Sequence, residues 1–232
     1  MRIGLAAAAA AFASRAGAAA DPAPPPAAAP AIVDKPISWG TERERLTVEY
    51  RRRHQDPAIR DSAIEPRMVV LHYTGGGSMR STWRYFDRTR IESGRRTLHG
   101  AGDLNVSAHF LVDRDGTIYR LMPETRMARH CIGLNHVAIG VENVGDGARY
   151  PLTEAQVRAD AALVRHLAGR FRLTHLIGHH ESNAMRRHAY WREREAGYRN
   201  SKSDPGPDFM RRVRALVADL GLEGPPVAET PR

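Results

Sequence analysis

The chain has 232 residues, enough for one substantial hydrophobic core and short for two. Hydrophobic residues make up 42% and charged residues 26%, which excludes wholesale disorder and collagen-like order. Basic residues outnumber acidic ones by 35 to 26, a formal charge of +9, and all but two of the basic residues, Lys35 and Lys202, are arginine.

From the N-terminus, Arg2, the uncharged apolar run 3–13 and the small residues up to Ala20 read as a secretory signal peptide over 1–20. The run is too short to span a bilayer, so no transmembrane anchor is expected and the protein should be exported, periplasmic or secreted. Cleavage removes Arg2 and Arg15 and no acid, so the basic balance belongs to the folded part. Residues 21–36 are a Pro/Ala-rich linker by composition, 37–222 the folded domain and 223–232 a disordered tail. A single cysteine, Cys131, forms no disulfide within the chain, so the domain relies on its core. Positive charge on an exported protein points to anionic envelope polymers. It would also draw nucleic acid non-specifically, yet no helix-turn-helix, zinc-finger or RNP signature is present, and no specific nucleic-acid partner is expected.

The continuous apolar run 68–71 predicts a buried strand that delivers His72 at its end, followed by Thr74 and three glycines. Ser78 then caps a helix through Asp87. Segments 106–112 and 117–122 flank Asp113-Arg114-Asp115-Gly116, a hairpin turn. Segment 137–144 is another strand, interrupted by Gly140. Thr153 and Gln156 form a capping box, and Val157, Ala161, Val164, Ala168 and Phe171 mark one face of an amphipathic helix. A short strand over 176–178 ends at His179, and 208–220 closes the chain as a helix. This order predicts an α/β fold, a mixed central β-sheet flanked by helices.

Of the eleven histidines, His72 and His179 stand apart because each ends a buried strand beside a loop that can open a groove. Asp204, in the segment 202–207 (KSDPGP), is a third candidate. Two imidazoles and one carboxylate leave the fourth tetrahedral position on zinc open for water, which is what a catalytic site needs.

The blocks VVLHYT, VSAHFLVDRDGTIYRL, AIGVENVG, IGHHES and KSDPGP, in that order, resemble the zinc-dependent N-acetylmuramoyl-L-alanine amidases, the type 2 amidase family that includes the peptidoglycan recognition proteins. The resemblance covers roughly Arg67 to Phe209. It implies a mixed sheet with a zinc site in a surface groove, Zn2+ held by His72, His179 and Asp204, and His179 rather than His180 at the ligand position. It implies Glu142 as the catalytic glutamate of the AmpD-type enzymes and Lys202 as the lysine two residues before the aspartate ligand. His130 and Asn135 match a segment that lines the substrate groove, and Tyr73 and Thr74, directly after a ligand, read either as flanking the substrate or as packing the strand end. The substrate implied is peptidoglycan or muropeptide, cut between N-acetylmuramic acid and L-alanine. Two departures stand out. Ala108 precedes His109 where phage-type amidases and recognition proteins carry a tyrosine, which leaves Glu142 to activate water. The link from His179 to Asp204 is also longer than in AmpD-type enzymes, and its 184–200 stretch, with Tyr190, Trp191 and Tyr198, reads either as a solvated loop or as a holder of glycan or peptide.

Amide hydrolysis needs an activated water, a stabilised oxyanion and a proton for the leaving nitrogen. Glu142 is expected to move the proton and Lys202 to stabilise the oxyanion. The rival reading is a non-catalytic module that binds peptidoglycan without cutting it; the full set of His72, His179, Asp204, Glu142 and Lys202 favours the enzyme. His109, alternating with Val106 and Phe110, reads as a hydrogen-bonded structural residue, and Cys131 as a small buried hydrophobe.

Overall fold

The computed structural model describes residues 29–227. The signal peptide read at 1–20, most of the linker and the last five residues of the tail lie outside the described residues. Six strands, β1 (Ile32–Asp34), β2 (Met68–Tyr73), β3 (Phe110–Val112), β4 (Ile118–Arg120), β5 (Ala138–Asn143) and β6 (His175–Gly178), form one sheet. Their spatial order is β1-β4-β3-β5-β2-β6. Only β3 and β4 pair antiparallel, joined by the expected hairpin; every other pairing is parallel. The fold is thus the mixed, helix-flanked α/β sheet that the element order implies.

The hairpin turns on Gly116, whose φ of +88° lies in the left-handed region and whose Cβ, were there one, would sit 2.9 Å from the Ala155 carbonyl oxygen. Only glycine meets both demands.

Five helices surround the sheet: α1 (Thr41–His54), α2 (Met79–Asp87), α3 (Arg96–Gly100), α4 (Glu154–Ala168) and α5 (Pro207–Leu216). Alternation along β2 and β5 divides the core between the two faces of the sheet. Val69, Leu71, Ile139 and Val141 pack with Val157, Val164 and Leu167 of α4 and Phe209, Met210 and Val213 of α5. Met68, Val70 and Ala138 pack on the other face with Leu134, Ile177 and Met185. His72 and Glu142 continue this second set, so the chemistry lies on the face away from α4 and α5. The Thr153–Gln156 capping box forms as expected. Gln156 also donates from Nε2 to the carbonyls of Val112 (3.2 Å) and Val144 (3.0 Å), which fastens the start of α4 to the ends of β3 and β5.

Several expectations need correction. Ordered structure starts inside the stretch read as a linker: β1 pairs with β4, and Lys35 and Ile37 continue the contact through N–H bonds to the Arg120 and Leu121 carbonyls. The tail begins later than residue 223, because Glu223 exchanges backbone hydrogen bonds with Thr174 and Leu176 at the edge of β6. Residues 106–109 are not strand; their amides reach carbonyls of different segments, Ser107 to Arg129 and His109 to Gly140. The last helix ends at Leu216, and a separate 3-10 turn covers Ala218–Leu220. Among the described residues no helix is long and apolar enough to cross a membrane.

Candidate metal centre

Parallel register builds the site. His72 near the end of β2 lies directly across from Glu142 of β5, and Leu71 across from Gly178, so His179 follows β6 at the level of His72. These are the carboxyl ends of parallel strands, where open α/β sheets place their ligands. A 3-10 helix, His179–Arg187, then turns the chain away. Glu181 fixes that turn by accepting from the Gly178 N–H (2.8 Å) while holding the Arg214 guanidinium of α5.

Three ligand atoms converge. His72 Nδ1 lies 2.9 Å from His179 Nδ1 and 3.2 Å from Asp204 Oδ2, and His179 Nδ1 is 3.2 Å from the same oxygen. All three residues are buried. A tetrahedron with ligand bonds of ~2.0–2.1 Å has edges of about 3.3 Å, close to those observed. With Asp204 ionised, no assignment of protons turns all three edges into hydrogen bonds, because one edge always sets like against like. A cation among them removes the conflict, so the residues fit a metal and His/His/Asp chemistry fits zinc. Burial alone would raise the Asp204 carboxyl, but the facing His179 and His72 imidazoles outweigh it and hold the group well below the usual carboxylate range. Burial, reinforced by His72, depresses His179 to about 4, so its imidazole is neutral and available as a ligand at physiological pH.

His180 faces away from the cluster. Its backbone N–H and ring Nδ1 both meet the Asp204 carbonyl oxygen, at 2.8 and 3.1 Å. The neighbour of one ligand therefore positions the backbone of another.

Glu142 stands beside the cluster with Oε2 buried and without a hydrogen-bond partner. Burial pushes its carboxyl up to about 7 against the pull of His72; Asp204 adds to the rise and Lys202 opposes it. Lys202 is exposed and lines the same cavity of about 420 Å³, together with His72, Tyr73, Glu142, His179 and Asp204.

The four residues expected to touch substrate all line this cavity, and three of them, Asn135, His130 and Thr74, also bond within the protein. Asn135 is buried, accepts from the backbone N–H groups of His130 (2.9 Å) and Cys131 (2.7 Å), and donates to the Tyr50 hydroxyl. His130 has one ring nitrogen 3.0 Å from His72 Nε2 and the other 3.2 Å from the Ala138 carbonyl oxygen. The polar atoms of both side chains are thus committed to the protein. Thr74 donates to the Gly76 carbonyl (2.8 Å) and so braces the glycine loop. Tyr73 stays at the rim, its hydroxyl 2.9 Å from Ser203 Oγ.

The 184–200 stretch is a packed strap. Tyr198 is buried against Leu46, Tyr50, Ile64 and Met127, with Trp191 beside it. Glu193 bonds His54 (2.9 Å) and Glu195 pairs with Arg53, which anchors the strap to α1. Tyr198 is thus part of the core rather than of a solvated loop, while Tyr190 and Trp191 are half-buried, and Tyr198 and Asn200 also line the cavity. His109 is structural as expected: its Nδ1 accepts from the Gly140 N–H (2.9 Å) and its Nε2 donates to the Arg126 carbonyl (2.8 Å). Cys131 is buried, and burial pushes its thiol up to about 12, so it is no nucleophile. Sequence reasoning missed the roles of Tyr50 and Gly140; the only signal was the glycine breaking an apolar strand.

A family model described as N-acetylmuramoyl-L-alanine amidase matches residues 62–207. The endolysin of Escherichia phage T7 is 34% identical over 85 residues, covering 34% of this chain. The match spans 56% of the length of that relative. Among solved structures, the N-acetylmuramoyl-L-alanine amidase LysC from Clostridium intestinale URNW aligns with a TM-score of 0.51 at 21% identity, over 82% of this chain and 98% of its own. The endolysin amidase LysCS from the same organism aligns at 0.50 and 21%, over 82% and 96%. These structural matches show the fold.

Proposed function

Because the chain belongs to the N-acetylmuramoyl-L-alanine amidase family, we propose that it hydrolyses the amide bond between N-acetylmuramic acid and L-alanine in peptidoglycan or its fragments. The observation that carries this reading is the convergence of His72 Nδ1, His179 Nδ1 and Asp204 Oδ2 beside Glu142, whose Oε2 is buried and unpartnered.

His72, His179 and Asp204 would hold zinc, which when bound would supply Lewis acidity for the scissile carbonyl and for water. The chain's own residues do the rest. The Glu142 carboxyl accepts a proton from water and returns it to the departing amide nitrogen. A carboxyl near 7 is matched to both halves of that task, and such acid–base help is worth about 10²–10⁴-fold. Lys202 offers a mobile cation on the open side of the cavity, where the oxyanion develops. Tyr73 and the Gly75–Gly77 loop border the same cavity and shape the entry of the substrate. The arginine-rich surface and the sequence at 1–20 support action in the anionic envelope after export.

Mass spectrometry of products from intact sacculi and from purified muropeptides tests the reading. The expected product is free stem peptide beginning with L-alanine, released by zinc-loaded protein and blocked by chelator. Tight binding of muropeptide with no release of peptide would establish a recognition module instead.

A further inference from the structure

We propose that His130 is the positioning residue that sets the tautomer and direction of His72, and thereby the metal affinity of the cluster; this rests on reading His72, His179 and Asp204 as a zinc site. The argument follows protons along a chain of single-valued partners. The Ala138 carbonyl can only accept, so His130 Nε2, 3.2 Å away, carries a hydrogen. A neutral His130 then presents a lone pair at Nδ1. His72 Nε2 lies 3.0 Å from that lone pair and must be the donor. The proton of His72 is thereby held at Nε2, which leaves Nδ1 bare on the side of His179 and Asp204.

Freed from His130, His72 can adopt the other tautomer. Its Nδ1–H would then donate to Asp204 Oδ2, 3.2 Å away, and an arriving metal would first have to displace that proton. Ligating histidines usually fix their tautomer by donating to a carboxylate, carbonyl or water. Here the acceptor is a second imidazole, so the tautomer of the ligand depends on that of its neighbour and ends on a backbone carbonyl.

The fold holds His130 in place at three points. Its backbone N–H is bonded to Asn135 Oδ1 at 2.9 Å, and its Nε2 to Ala138. Its ring lies over Gly140, where an added Cβ would come within 2.6 Å of ring carbon. That close approach gives a reason for glycine in the middle of β5, a position where it otherwise weakens a strand. Tyr50, bonded to Asn135, extends the support to α1.

Two measurements decide the matter. In metal-free, unaltered protein, long-range 1H–15N correlation of the imidazoles should show His72 protonated at Nε2; a His72 protonated at Nδ1 overturns the proposal. Zinc affinity by chelator competition should weaken about 10–100-fold in His130→Ala and largely recover in His130→Asn, whose amide oxygen can replace the Nδ1 acceptor. Unchanged zinc affinity in a folded His130→Ala also overturns it. Should the unaltered protein bind no zinc, the metal reading fails instead, and the tautomer measurement still decides the link between His72 and His130.

Discussion

Two buried polar clusters meet in the segment 129–135 and are built in opposite ways. On one side, His72, His179 and Asp204 bring three ligand atoms within 3.2 Å of one another, and no placement of protons pairs all three. On the other, beneath α1, the chain supplies the cations. Arg129, only 2% exposed, donates to the carbonyls of Leu98 (2.6 Å), Gly102 (3.0 Å) and Leu104 and to the Tyr198 hydroxyl. It lies over the Tyr50 ring at 4.7 Å. Arg51 donates in the same way to the Asp61 and Ala63 carbonyls, and Arg43 to the last carbonyls of α2. A buried charge is tolerable only when paired and hydrogen-bonded. The arginine cluster finds most of its hydrogen bonds on backbone carbonyls, although Arg43 Nε and Nη1 and Arg129 Nε stay unpartnered, whereas the histidine cluster is resolved by a cation from solution.

If that contrast is right, the two clusters fail differently. Asp204→Ala should abolish zinc binding and lower turnover by at least ~10³-fold, the equivalent of several kcal/mol of lost electrophilic help, while the protein remains folded by circular dichroism. Retained zinc stoichiometry in that variant would erase the distinction. Glu142→Gln should keep zinc and lose about 10²–10⁴-fold in turnover, since the amide cannot carry the proton; full activity removes Glu142 from the chemistry.

Arg129→Met tests the other cluster. It strands three carbonyls at a cost of roughly 1–3 kcal/mol each, so Tm should fall on the order of 10 °C, with zinc stoichiometry unchanged in the folded fraction. An unaltered Tm would mean that these arginines are passengers.

The smallest expected effect concerns Asp160, buried in α4 behind the sheet. Its Oδ2 accepts from Asn143 Nδ2 at 2.8 Å, and the same amide reaches the His72 carbonyl at 3.2 Å. Burial raises this carboxyl from 3.8 to about 7, against the hydrogen bond from Asn143. The fold therefore prefers it neutral. Its contribution is fully present below pH 3.8 and is lost as pH rises toward 7. Asp160→Asn should leave Tm nearly unchanged at pH 3.5 and raise it by a few degrees at pH 8; a gain that is equal at both pH values would assign it to packing rather than charge.

The same contrast explains what could be read from the sequence. The strands that carry His72, Glu142 and His179 announce themselves because aliphatic runs end abruptly in a polar residue beside glycine. The site was legible at that level, and resemblance supplied the roles. α1 carries no apolar face to read because the side chains it buries include Arg43, Thr47, Arg51 and His54. The strap was misread for a related reason: Tyr198, Glu193 and Glu195 find their partners on α1, about 140 positions away in sequence, beyond any local pattern. His130 and Asn135 line the cavity, and the hydrogen bonds they make to Ala138, to the His130 and Cys131 amides and to Tyr50 are not marked by any local pattern.

The most direct test of the central claim is X-ray absorption at the zinc edge of protein loaded with one equivalent of metal. The account predicts one tightly bound zinc per chain with two imidazole nitrogens and carboxylate oxygen at about 2.0–2.2 Å, an imidazole signal reduced in His179→Ala. Weak, non-stoichiometric zinc, or a first shell unchanged by that substitution, would contradict it.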